Sequence, residues 1–201
     1  MFYSQFGQDK YFSELFKDNY KGVCIEIGAY DGIGGSNTLH FENKGWECLC
    51  IEANPKLANK CSQVRKNTLN CAVGKENLST VNFTIFDVGY NNESAISSIS
   101  VDQRLVESHK HLIQNTYEIS VELKTLDTIL GETNIFNYID YVSIDTEGTE
   151  LDVLKGFNLN KWKPKVLLIE NNYEDKEIEE YLLDFGYKKV LRHHVNDFYL
   201  S

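Results

Sequence analysis

The chain has 201 residues, 42% hydrophobic and 25% charged, a composition that suits one soluble domain with a full core of its own. Its 30 acidic residues outnumber 20 basic ones, and a net charge of −10 excludes phosphate-backbone binding as its main task, so no nucleic-acid partner is expected. No run reaches the roughly 20 apolar residues of a membrane span, and the amino end lacks a signal peptide's apolar centre, which predicts a cytoplasmic chain with no membrane partner.

The segment YSQFGQDKYFSELFKDN begins with a polar turn and continues as a helix, with Tyr11/Leu15 and Phe12/Phe16 spaced i, i+4 along an apolar face. Residues Ser4 to Asp9 read as its cap or as a flap over a pocket. Val23 to Ile27 then suits a central strand of a parallel sheet, buried on both faces. A turn rich in small residues follows, from Gly28 to Gly35. Ser36-Asn37-Thr38 offers N-cap chemistry for a helix through Leu39–Glu42 that stops near Gly45. Strand, turn and helix together cradle a ligand at the carboxyl end of the strand. The bare side of Gly28 reads as room for that ligand. A dinucleotide fingerprint would place its second glycine where Tyr30 stands, and that side chain would crowd a pyrophosphate.

Cys48 to Glu52 is a second short strand ending in an acid. Glu52 lies where nucleotide folds place a ribose-binding carboxylate, about 20 residues past the first glycine. Asn54 and Pro55 open a helix to about Lys66, and Asn70 to Val73 reads as a third strand. Val81 to Asp87 is an added strand. Gly89 to Ser100 is a long loop and a candidate substrate lid. Asp102 to Gln114 reads as a helix whose His109 and His111 do not share a face. Tyr117–Leu123 and Leu126–Leu130 follow as strand and helix. Five cysteines (Cys24, Cys48, Cys50, Cys61, Cys71) form no Cys-x-x-Cys pair, so neither a disulfide nor a zinc site is expected.

Tyr141 to Gly148 repeats the pattern of an apolar strand ending in acids and a glycine, with a helix behind it up to Gly156. Asp145 and Glu147 point into one crevice, and such close like charges raise each other's pKa. Val166 to Glu170 is a further strand, Asp175 to Phe185 a helix, and Lys188–Arg192 and Asp197–Leu200 close the chain. The basic cluster Lys188-Lys189…Arg192-His193-His194 reads as a solvated strand. Glu26, Glu52, Asp145 and Glu170 therefore sit in or at the ends of four strands. A single doubly wound α/β domain over residues 1–201 accounts for the whole pattern.

The spacing Glu26-x-Gly28-x-x-x-Gly32 resembles the first motif of S-adenosylmethionine-dependent methyltransferases. More specifically, Ser4-Gln5-x-Gly7-Gln8-Asp9, Gly28-Ala29-Tyr30-Asp31-Gly32…Ser36-Asn37-Thr38, Gly45-Trp46…Ile51-Glu52-Ala53-Asn54-Pro55 and Ser143 to Leu151 resemble the FkbM-type methyltransferases. The resemblance implies a Rossmann-like, seven-stranded, mostly parallel sheet with the last strand antiparallel. It implies S-adenosylmethionine as cofactor and methyl transfer to an oxygen, on a small-molecule or carbohydrate acceptor. Glu26, Gly28 and Asn37 would surround the methionine moiety, and Glu52 would take the ribose. Ala53 and Cys71 would border the adenine, and Gln5 would close the pocket. Ala29, Asp31, Ser36 and Thr38 complete the expected cofactor contacts. Asp145 and Glu147 would face the methyl group and the acceptor, with Asp145 as base. A divalent cation held by Asp145, Glu147 and Glu170 is the alternative to a metal-free site. Nitrogen methyltransferases place Asp or Asn before Pro-Pro-Tyr after the fourth strand, a pattern absent here. A non-catalytic module of the same fold and a nicotinamide oxidoreductase are the competing readings.

Overall fold

The computed structural model describes residues 1–17, 19–89, 97–133 and 136–201. Its first half runs α1 (Gln8–Leu15), β1 (Val23–Ile27), α2 (Leu39–Asn43), β2 (Glu47–Glu52), α3 (Pro55–Val64), β3 (Thr68–Asn70), β4 (Ala72–Val73), β5 (Leu78–Asp87) and β6 (Ser97–Ser98). The second half runs α4 (Gln103–His109), β7 (Asn115–Lys124), α5 (Leu126–Thr133), β8 (Tyr141–Ile144), α6 (Glu150–Lys155), α7 (Leu159–Trp162), β9 (Val166–Glu170), α8 (Lys176–Leu183), β10 (Lys188–His193) and β11 (Asn196–Leu200).

The main sheet has seven strands in the order β10-β11-β9-β8-β1-β2-β3. The apolar runs expected at its centre are there, with β1 parallel to both β2 and β8 and every residue of β1 buried. The last strand of the chain, β11, runs antiparallel to β9 and β10, as expected. Alternation along the strands divides the core into two. Ile25, Ile27, Val142, Ile144, Leu167 and Ile169 pack on one face, beneath Leu126 and Ile129 of α5, Val153 and Leu154 of α6 and Leu182 of α8. Cys24, Tyr141 and Leu168 face the other side, where Phe12 of α1, Phe41 and Trp46 cover them. Helices on both faces make the sheet doubly wound.

Four expectations are corrected. The run Asn70 to Val73 is not one strand. β3 pairs with β2, whereas β4 joins a second, four-stranded sheet of order β4-β7-β5-β6. The side chain of Asn70 donates to the carbonyls of Glu52 and Ala53, which ends the ladder and turns the chain at Cys71. Nor does the helix after Asp102 reach Gln114; α4 stops at His109, with the Asp102 carboxylate accepting from the Arg104 N–H at its start. Cys24 and Cys48 are disulfide-paired, because they stand opposite one another in the β1–β2 register with Cα atoms 4.8 Å apart. Finally, Phe12 is fully buried on the helix face it shares with Phe16, but Tyr11 and Leu15 are exposed. Among the described residues no helix is long and apolar enough to cross a membrane.

Candidate active site

A cavity of about 570 Å³ opens beyond the carboxyl ends of β1, β2 and β8. That is the place where an open parallel sheet offers a crevice, and the volume falls in the range of small-ligand sites. Its wall includes Gln5, Glu26, Gly28, Ala29, Ser36, Asn37, Glu52, Ala53, Cys71, Asp145 and Glu147, so eleven of the thirteen expected site residues converge on one space. Asp31 and Thr38 do not reach it. The Asp31 carboxylate accepts from the backbone of Ile33 and Gly34 and so shapes the turn itself. The Thr38 hydroxyl donates to Glu26 at 2.6 Å, behind the cavity wall.

Glu26 is less free than the sequence implies. Its oxygens accept from Ser36 Oγ, Asn37 N, Thr38 Oγ1 and Arg65 Nη1, at 2.6 to 3.1 Å. Arg65, which sequence reasoning missed, is buried and also reaches Glu42, Ser36, Thr38 and the carbonyl of Gly32. Nothing near Arg65 in the sequence marks it, since its acidic partners lie 23 and 39 positions away. The network ties α3 to the turn after β1 and leaves Asn37 facing the cavity. Asn37 Nδ2 donates to Ser143 Oγ, whereas its buried Oδ1 has no partner.

Gly28 has φ +81°, and a Cβ there would meet the carbonyl oxygen of Asp145 at 1.8 Å. The missing side chain therefore lets β1 approach the backbone beyond β8, which corrects the reading that it clears space for a ligand. Tyr30 adopts φ 52°, its N–H donates to Glu52 Oε2, and its residue lines the cavity. The other Glu52 oxygen accepts from Asn54 N, and burial pushes this carboxyl up to about 7. Each oxygen keeps lone-pair capacity for a ligand hydroxyl.

Asp145, Glu147 and Glu170 lie together at the ends of β8 and β9. One carboxylate oxygen from each falls within 4.8 Å of the others. Burial raises Asp145 to about 6, and burial with the charge of Asp145 raises Glu147 to about 9. Glu170 is also raised, by burial first and then by its acidic neighbours. Its Oε2 is buried and has no hydrogen-bond partner. Glu147 has φ 56°, a conformation uncommon for a residue with a side chain. Glu150 fixes this turn, with one oxygen accepting from Thr146 N, Thr146 Oγ1 and Gly148 N. A smaller cavity of about 240 Å³ shares Glu147, Thr149 and Asn172 with the larger one and adds Ser100, Asp102 and Tyr173.

Ser4 to Asp9 is both cap and wall. Asp9 accepts from Tyr3 N and Ser4 Oγ, while Gln5 and Phe6 line the cavity and Phe6 stacks on His194. Of the expected lid, Ser97 and Ile99 line the cavity; residues 90–96 lie outside the described residues.

The family described as "Methyltransferase FkbM domain" matches residues 26–189. A curated relative, "Methyltransferase 1" of Beauveria bassiana (strain ARSEF 2860), is 28% identical over 96 residues, covering 46% of this chain and 38% of its own length. The crystal structure of Methyltransferase FkbM from Methylobacillus flagellatus KT superposes with a TM-score of 0.59 at 17% identity, covering 94% of this chain and 46% of that one. The chain thus matches less than half the length of either, and the structural likeness speaks for the fold.

Proposed function

Because the chain belongs to the FkbM methyltransferase family, we propose that it transfers a methyl group from S-adenosylmethionine to a hydroxyl of a small-molecule or sugar acceptor. The observation that carries the cofactor assignment is the buried Asn37 Oδ1, an acceptor without a donor on the cavity wall. An ammonium group satisfies it, and a buried acceptor left unpaired costs about 1–3 kcal/mol. Glu52 stands on the same wall with capacity for the two hydroxyls of a ribose. Ala53 and Cys71 give an apolar border for an adenine. Asp31 and Thr38 drop out as direct contacts, and Glu26 acts by positioning Asn37.

When bound, S-adenosylmethionine supplies a methyl group on a sulfonium, already activated toward displacement. What remains for the protein is to hold an acceptor oxygen in line and to help it lose its proton. Glu147 stands where the two cavities meet and Asp145 lines the larger one beside it, which favours an acceptor entering from the smaller one. The polar lining there, with Ser100, Asn172 and Tyr173, suits a hydroxylated molecule. Tyr30 in the wall and no second glycine beside Gly28 disfavour a nicotinamide dinucleotide. A cytoplasmic setting belongs to this reading.

Calorimetric titration with S-adenosylhomocysteine and with NADH tests it. Binding of the first and not the second is expected; the reverse overturns the cofactor. With labelled S-adenosylmethionine and a panel of sugars and polyols, Asp145→Asn should lose about 100-fold or more in turnover. Full turnover in that variant removes Asp145 from the chemistry.

A further inference from the structure

We propose that the carboxylates of Asp145, Glu147 and Glu170 form a site for one hard divalent cation of the magnesium or manganese kind. The proposal deepens the methyl-transfer reading and rests on it for the cation's purpose. Its existence stands on geometry. Asp145 follows β8 and Glu170 ends β9, parallel neighbours whose Ile144 and Ile169 are paired in register, so the two acids stand side by side. Glu147 joins them from a turn that Glu150 holds by three hydrogen bonds. The three ligand oxygens lie within 4.8 Å of one another. Opposite oxygens around Mg²⁺ are about 4.2 Å apart and around Ca²⁺ about 4.6–5.2 Å. Only one pair can be opposite, so binding a magnesium-sized ion draws the oxygens inward, adjacent ones to about 3 Å.

The independent sign is Glu170. Its Oε2 is buried and accepts no hydrogen bond, although it belongs to a residue lining the cavity. A buried carboxyl oxygen left without a partner is costly, and a bound cation removes that cost. Among the described residues, no lysine or arginine pairs with any of the three acids. The buried Arg65 is taken by Glu26 and Glu42. An all-oxygen set matches magnesium, manganese or calcium rather than zinc or copper, which prefer nitrogen and sulfur. A cation here would hold the acceptor's hydroxyl and lower its pKa, with Asp145 as a ligand rather than a free base.

The test uses the whole chain, stripped with a chelator and titrated with MnCl₂ by electron paramagnetic resonance and calorimetry. One Mn²⁺ per chain is expected, with Mg²⁺ competing for it. Glu170→Gln and Glu147→Gln should each weaken Mn²⁺ at least tenfold while binding S-adenosylhomocysteine within about twofold of the wild type. Thermal melting confirms that both variants fold. A wild-type chain that binds S-adenosylhomocysteine but gives no saturable Mn²⁺ signal overturns the cation and leaves the cofactor reading intact. Undiminished Mn²⁺ binding by both variants overturns the residue assignment. Failure to bind S-adenosylhomocysteine counts against the methyl-transfer reading, with the Mn²⁺ titration still deciding the cation.

Discussion

At Gly28 a single methyl group would collide with the Asp145 carbonyl, on a backbone already left-handed. Gly28→Ala should therefore lower stability by more than the about 1–2 kcal/mol of the left-handed conformation alone, measured by urea unfolding. Unchanged stability with lost cofactor binding would return the glycine to a ligand-clearing role. Glu52 makes the opposite kind of prediction. Its pKa rises from 4.5 to about 7 on folding, so the native state holds the proton more tightly than the unfolded chain. The stability linked to it is complete below pH 4.5 and is lost as pH climbs to 7, by up to about 3 kcal/mol. Glu52→Gln should make that decline shallower in the ligand-free protein, the remainder belonging to the other buried carboxyls; an equally steep decline would mean that Glu52 is not a source of it. Glu52→Ala should weaken S-adenosylhomocysteine binding by about 1.5–3 kcal/mol, and undiminished affinity would remove Glu52 from the ribose. Both residues were legible as positions, because a strand followed by a glycine or an acid is a local pattern. Their physical roles were not, since the partner of Gly28 lies beyond the neighbouring strand β8, far away in sequence.

The buried Arg65 links α3 to Glu42 of α2 and to Glu26 of β1. Arg65→Met would leave two buried carboxylates without their cation, and breaking such a set costs about 3–5 kcal/mol. Chemical denaturation should show that loss. A cost below about 1 kcal/mol would mean that the hydroxyls of Ser36 and Thr38 suffice for Glu26. Elements whose signal is their own periodicity were legible: β1, β2, β8 and β9 as apolar runs, α8 as an amphipathic helix. The split between β3 and β4 was not, because Thr68 to Val73 carries no break in its own composition. Its division depends on Asn70 bonding to the end of β2. Arg65 was illegible for the same reason, as a long-range partner without a local signature.

At the scale of the molecule, a ligand that binds only the folded chain stabilises it by mass action. S-adenosylhomocysteine at 100 times its dissociation constant adds about 2.7 kcal/mol. For a chain of this length that should raise the melting temperature by about 5–11 °C, and no shift at saturation would mean that the cavity does not take the cofactor. The seven-strand architecture was legible because resemblance and strand pattern agreed, whereas the separate four-stranded sheet arises from pairings such as β5 with β7 that sequence spacing does not reveal. The early exit of the chain at Cys71 has a further consequence at the rim of the main sheet. It leaves β3 as an edge of only three residues, too short a template for a foreign strand. At the other rim, β10 carries Lys188, Lys189 and Arg192 and a register shift between Lys189 and Leu191. Charge and irregularity there oppose strand addition. Both ends of the sheet are thereby closed to runaway self-association. Replacing Lys188 and Lys189 by valine should bring on thioflavin-positive aggregation in concentrated samples, and a variant that stays clear would place the protection elsewhere.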